Sequence, residues 1–201
     1  MVTLLHKERL DTVVEALCAS GATSVLDLGC GPGELLLLLA DQPQFRRIVG
    51  IDTSQDVLQE ARHQLTDHQH PPDGRRMRLY QASFTDCIED LKGFDAVTLI
   101  ETIEHIAPGR LSLVERAVFS GYVPKTVIIT TPNSEYNPLH GMTPGRFRHP
   151  DHQFEWGRQK FRHWAQGVAG RAGYQVNFSD LGEIDMQLGG SSQMAVFSHP
   201  C

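Results

Sequence analysis

The sequence predicts an α/β fold, an open and mostly parallel sheet of about seven strands whose last strand runs antiparallel. Three observations predict it. Short β-branched runs alternate with stretches of helical periodicity, the pattern of parallel strands joined by crossover helices. The run Ser24-Val25-Leu26-Asp27-Leu28 enters a glycine-spaced turn, Gly29-Cys30-Gly31-Pro32-Gly33, and then a leucine-rich helix. The last two strand-like runs, 174–181 and 193–198, are joined by a Gly-rich loop around Gly189-Gly190 with no helix between them, and so read as a hairpin.

Bulk properties bound the rest. At 201 residues and 40% hydrophobic, the chain can bury one full core and is short for two, so residues 1–201 are expected to form a single domain. A formal net charge of -6 gives no global attraction to nucleic acid or membrane, so contact with RNA would need a local basic patch. The longest apolar run, 35–40, is far too short to span a bilayer. Cys18, Cys30, Cys87 and Cys201 are scattered without C-x-x-C pairing and no leader precedes the first helix, which points to a reducing, cytoplasmic setting.

Leu10, Val13, Val14 and Leu17 fall at i, i+3, i+4 and i+7 and predict an amphipathic scaffold helix near residues 6–18. In the turn after the first strand, glycines let backbone approach a ligand where side chains would block it. Its G-x-G-x-G spacing departs from the dinucleotide fingerprint, because the third glycine comes one residue early and Pro32 occupies the turn. Asp27 would repel a pyrophosphate and attract a cationic or amine-bearing ligand, which makes Asp27, Gly29 and Gly31 candidate cofactor-binding residues. A second strand, Arg47-Ile48-Val49-Gly50-Ile51-Asp52, ends in an acid 23 residues beyond Gly29, where a carboxylate can accept both hydroxyls of a ribose. Thr53-Ser54 offers an N-cap to a helix bearing Val57, Leu58, Ala61 and Leu65. Residues 66–76 are polar, with Pro-Pro and Asp-Gly, and read as a surface loop in which His68 and His70, like His63 before it, are solvated. Residues 77–81 read as the third strand, with Ser83 just past its end.

The apolar run 94–100 is a buried strand that delivers Glu101 to its carboxyl end, where open α/β sheets bind ligands. A helical turn there would bring Glu101, Glu104 and His105 to face one point. Two carboxylates and an imidazole suit Mg²⁺ or Mn²⁺, without excluding Zn²⁺ or Fe²⁺, and a fourth ligand must come from elsewhere. A capping acid, a surface acid and a packed histidine would give the same string. Leu111, Val114, Ala117 and Val118 suggest a further helix, and 125–131 another strand. Residues 132–153 then hold four prolines, two glycines and no periodicity. A loop of that length inside a compact domain is functional or disordered, and this one carries Arg146, Arg148, His149, Asp151 and His152. The helix that follows has Phe161, Trp164, Ala165 and Val168 at core spacing. Between 146 and 163, five Arg or Lys stand against two acids, a local net of +3 that fits either a phosphate-binding surface or a solvated face.

Asp27 with the glycine-rich turn resembles motif I of the class I (Rossmann-like) S-adenosylmethionine-dependent methyltransferases, and seven strands with an antiparallel last one are their architecture. Glu101-x-x-Glu104-His105, Thr131-Pro132-Asn133-Ser134-Glu135-Tyr136-Asn137 and Asp151-His152-Gln153-Phe154-Glu155-Trp156 together resemble the Hen1 family of RNA 3′-terminal 2′-O-methyltransferases over nearly the whole chain. His149-Pro150-Asp151-His152 is most similar to the bacterial branch, where the module is the carboxyl-terminal part of an RNA-repair enzyme, so the resemblance implies a domain excised from a longer chain. It implies S-adenosylmethionine held by Gly29, Asp52 and Ser83, and Mg²⁺ or Mn²⁺ held by Glu101, Glu104, His105 and His152. It makes Tyr136 and Asn137, with Arg146 and Arg148, candidates for holding the terminal nucleotide of an RNA with a free 2′,3′-diol. An end-healing and ligase protein is the implied partner. Ala82 departs from the glycine common in the family. Since a metal-bound imidazole is a poor base, His149 is the candidate proton acceptor, against the plainer reading of an idle loop histidine. The alternative activity is a small-molecule O-methyltransferase of the ubiquinone-pathway type, which shares E-x-x-E-H but would want an apolar pocket. A methyltransferase-like RNA-binding scaffold without catalysis is the other rival.

Overall fold

In the computed structural model, which describes residues 4–72, 74, 76–143 and 145–199, seven strands form one sheet. They are β1 (Ser24–Leu28), β2 (Arg47–Asp52), β3 (Met77–Gln81), β4 (Ala96–Ile100), β5 (Thr126–Pro132), β6 (Gln175–Asp185) and β7 (Gly189–Ser198). Their order across the sheet is β3-β2-β1-β4-β5-β7-β6. Neighbours among β1 to β5 run parallel, and β7 is antiparallel to both β5 and β6. Chain order reverses between β1 and β4, so the carboxyl ends of β2, β1 and β4 open onto one crevice, where such sheets bind ligands.

Helices α1 (Leu4–Ala19), α2 (Glu34–Ala40) and α3 (Gln55–Asp67) cover one face, burying Leu10, Val13, Leu17, Leu36, Leu58 and Leu65 against Val25 and Ile48. On the other face α4 (Leu111–Glu115), which continues as the π-helical segment Arg116–Tyr122, and α5 (Arg158–Ala172) pack Val118, Phe119, Phe161 and Val168 against Leu26, Val97 and Phe197. Each such side chain contributes roughly 1.5–3 kcal/mol on leaving water. The predicted α/β architecture is therefore the observed one. Ser54 caps α3, its hydroxyl accepting the Val57 N–H at 3.3 Å.

Two local expectations change. Gly189 and Gly190 lie within β7 and not in a connecting loop, paired with Asp185 and Ile184 of β6. A Cβ on Gly190 would stand 2.7 Å from the Leu181 backbone, so only glycine lets the strands close there. The reversal instead follows Asp185, whose Oδ1 accepts the N–H groups of Gln187 and Leu188, both at 2.8 Å. The stretch 132–153 is not irregular throughout: Asn133 accepts the Glu135 N–H at 3.0 Å and starts a 3₁₀ helix, Ser134–His140. Cys201, and Asp73, Arg75 and Pro144 of the two loops, lie outside the described residues; Cys18, Cys30 and Cys87 are free thiols. Among the described residues no helix is long and apolar enough to cross a membrane.

Candidate functional site

The crevice is a cavity of about 650 Å³, within the range of small-molecule sites. Gly29 N–H and Cys30 N–H both donate to Ile51 O at 2.8 Å, and Gly31 N–H donates to Asp52 Oδ2 at 3.1 Å, so the glycine turn is fastened to the end of β2. Asp52 Oδ1 also accepts the Ser54 N–H at 2.9 Å, so the carboxylate at the cavity wall holds the N-cap residue of α3 as well. Gly29 has φ of 81°, and a Cβ there would lie 2.6 Å from Thr102 Cγ2. Gly29→Ala is therefore expected to cost roughly 2–4 kcal/mol through left-handed strain and overpacking. Urea denaturation reads it directly; an unchanged midpoint would mean that Thr102 yields freely.

Among the described residues five acids line the cavity, Asp27, Glu34, Asp52, Glu101 and Asp151, against Arg9 as the one arginine or lysine. Asp27 is fully enclosed and accepts the Thr98 hydroxyl at 2.7 Å. Burial, opposed by that hydrogen bond and reinforced by the Asp52 charge, pushes its carboxyl up to about 7. A folded value above the unfolded 3.8 penalises the native state increasingly as pH rises from about 4 to about 7, with nothing lost below that window. Asp27→Asn should thus raise the thermal midpoint at pH 8 and leave it unchanged at pH 3.5. Equal shifts at both values would contradict the assignment.

At the end of β4, Glu101 adopts φ of 50°, a left-handed backbone uncommon outside glycine. Its N–H donates to Thr130 O and lies 3.1 Å from Thr130 Oγ1, and its Oε1 accepts the Thr130 hydroxyl at 2.9 Å. Arg9 Nη2 stands 3.3 Å from Glu101 Oε2. The turn Ile103–His105 is 3₁₀ and carries Glu104 into the interior, where it has no exposed surface. Thr131 donates to Glu104 Oε2 at 3.0 Å, whereas Glu104 Oε1 has no hydrogen-bond partner among the described residues. Burial first, and the Glu101 charge second, hold its pKa well above the ordinary carboxylate range.

The long loop docks on this turn through Gln153 N–H, which donates to Glu104 O at 2.7 Å. Docking brings His152 beside His105, ring centroids 4.9 Å apart, and His149 within 5.8 Å of His105. One ligand nitrogen from each of the three histidines falls within 4.8 Å of the others. Burial, then His152 and His149, lowers the His105 pKa, which favours the neutral imidazole a cation requires. Glu101, His105 and His149 share the cavity wall with the cofactor-side residues. The three histidines offer donors that fit a divalent cation, whereas neither Glu101 nor Glu104 joins that group among the described residues; the Glu104 oxygen left without a partner there is an acceptor still wanting a charge.

Other expected residues stand elsewhere. Ser83 spends its hydroxyl on Thr85, at 2.7 Å from Thr85 Oγ1 and 3.1 Å from its N–H, and Phe84 lines the cavity in its place. Tyr136 is buried against His140, while Asn137 and Arg148 are held by internal hydrogen bonds, so these three do not face a nucleotide. Arg146 is exposed and remains free to meet one. Helix α1 is more than scaffold, because Arg9 is buried at the cavity, donating to Ser192 Oγ at 3.1 Å beside Glu101. Its signal was a charge sharing a face with Val13, four residues on. Glu155 was also missed as a functional residue: its buried carboxylate lies 2.6 Å from His152 Nδ1. Burial would raise the Glu155 pKa, but hydrogen bonds from His152, Asn137 and Arg148 bring it below the usual range.

Residues 25–120 match the sequence profile of a methyltransferase domain. The chain is 37% identical over 202 residues to a small RNA 2′-O-methyltransferase of Xenopus tropicalis, covering 96% of this chain and 54% of that protein. It spans about half the length of the vertebrate relatives it matches. The crystal structure of the methyltransferase domain of bacterial CtHen1-C superposes with a TM-score of 0.86 at 42% identity, covering 98% of this chain and all 100% of that one. A chain in the structure of the Pnkp1/Rnl/Hen1 RNA repair complex aligns at a TM-score of 0.72 and 21% identity, over 99% of this chain and 42% of its own, a likeness of fold.

Proposed function

The chain belongs to the Hen1 methyltransferase family, and from that premise we propose that it transfers the methyl group of S-adenosylmethionine to the 2′-hydroxyl of the 3′-terminal nucleotide of an RNA, with Mg²⁺ or Mn²⁺. One observation carries this reading. A single cavity joins Asp27, Gly29, Gly31 and Asp52 at one end to Glu101, His105 and His149 at the other. The five acids suit a cofactor bearing a sulfonium and an amine, and Asp52 suits its ribose hydroxyls.

Glu101, Glu104, His105 and His152 are the residues proposed to hold the cation. Bound there, it would supply the positive charge that lowers the pKa of a ribose hydroxyl and directs it. The protein's own groups do the rest. His149 lines the cavity and is the proposed acceptor of the hydroxyl proton, which its Nδ1 would take in place of the 3.2 Å hydrogen bond it now accepts from the Asp151 N–H. Exposed Arg146, Lys160 and Arg162 offer positive charge to the phosphate backbone. Residues 1–201 would act as one domain, the methyltransferase module of a longer protein, working in the cytoplasm beside an RNA end-healing and ligase partner. The greater length of the relatives and the RNA repair complex among the structural neighbours support this.

The test is methyl transfer to one RNA carrying a 2′,3′-diol, the same RNA after periodate oxidation, and the same RNA with a 3′-phosphate. Only the diol should be methylated. Equal transfer to all three would remove the terminal specificity. Transfer to a quinol in preference to RNA would favour the small-molecule alternative, and absence of cofactor binding would favour a scaffold.

A further inference from the structure

A row of hydrogen bonds runs from the end of β5 to His152, and its direction is set by its first member. An arginine side chain only donates. Arg148 Nη2 donates to Asn133 O at 2.7 Å, Nη1 to Ser191 Oγ at 3.2 Å, and Nε to Asn137 Oδ1 at 2.6 Å. With its oxygen claimed, the Asn137 amide turns its nitrogen to Glu155 Oε2, at 2.7 Å. Glu155 Oε1 accepts the Arg148 backbone N–H at 2.6 Å and lies 2.6 Å from His152 Nδ1. The Glu155 side chain is 0% exposed, so no solvent offers an alternative partner.

Each link leaves the next no choice. Glu155 receives donors on both oxygens and can only accept from the imidazole, which requires the His152 proton on Nδ1. A neutral ring protonated at Nδ1 carries its lone pair on Nε2. We propose that Arg148, Asn137 and Glu155 form a tautomer lock that leaves Nε2 of the neutral His152 ring available as a cation ligand beside His105. Glu155 touches no reacting atom and is a positioning residue, of the kind that fixes ring orientation at metal sites. The lock explains why Asn137 and Arg148, polar and beside the site, point inward. It rests on the metal reading given above.

The test begins with the wild-type protein, free of metal and labelled with ¹⁵N-histidine, whose long-range nitrogen–proton correlations report each tautomer. His152 should be protonated at Nδ1. Glu155→Gln introduces an amide that must point a donor at a donor whichever way it turns, so the His152 population should move toward Nε2–H. Calorimetric Mn²⁺ affinity should then fall by roughly 10- to 100-fold. A wild-type His152 protonated at Nε2, or Mn²⁺ affinity unchanged in Glu155→Gln, overturns the lock while leaving the metal reading standing. A wild-type protein that shows the expected tautomer but binds no Mn²⁺ overturns the ligand assignment through the metal reading itself. Because the first measurement needs no variant, a folding defect in Glu155→Gln does not decide the matter.

Discussion

Glu104→Ala is expected to reduce methyl transfer by roughly 100- to 1000-fold, the several kcal/mol that a cation supplies to transition-state charge, at about 1.4 kcal/mol per decade. S-adenosylmethionine affinity, read by calorimetry, should stay within about twofold, a difference near 0.4 kcal/mol. The expectation follows from the cost of the side chain where it stands. Glu104 is fully buried, one oxygen has no partner among the described residues, and Glu101 adds a second negative charge nearby. A carboxylate so placed destabilises the metal-free fold unless something positive meets it. The companion result is therefore that Glu104→Gln raises the thermal midpoint of the metal-free protein while losing activity. Full transfer by Glu104→Ala would make the carboxylate a structural oddity and remove it from the site.

Asp52→Ala is expected to weaken S-adenosylmethionine binding by about 10- to 100-fold, since a hydrogen bond to a charged group contributes roughly 1.5–3 kcal/mol. Two effects point the same way. The variant removes the acceptor proposed for the ribose hydroxyls, and it releases the Gly31 and Ser54 N–H groups that now converge on the carboxylate. Calorimetry separates this loss from chemistry, because transfer at saturating cofactor should recover much of its rate. An unchanged dissociation constant would place the ribose elsewhere.

The sheet was legible because its signals are local. A strand, a glycine turn and a helix announce themselves between Ser24 and Ala40, and Asp52 closes a second strand at a spacing the fold imposes. Glu101, Glu104 and His105 were legible for the same reason, lying on one strand-to-turn junction. The interior partners were not. Nothing about Arg148 or Asn137 in the chain says that they turn inward to Glu155, because residue type reveals the chemistry of a group and only packing reveals its direction. Arg9 was hidden likewise, since its partners Glu101 and Ser192 stand 92 and 183 residues away in sequence. Gly189 and Gly190 misled because glycine marks turns, whereas here it admits the close approach of β6.

The central claim is that a divalent cation, gathered by Glu101, Glu104, His105 and His152, acts at the hydroxyl that is methylated. Its most direct test is the transfer of labelled methyl from S-adenosylmethionine to an RNA ending in a 2′,3′-diol, with protein stripped by chelator and then given back Mn²⁺ or Mg²⁺. Transfer should vanish on stripping and return with the ion. Undiminished transfer by the stripped protein would contradict the account.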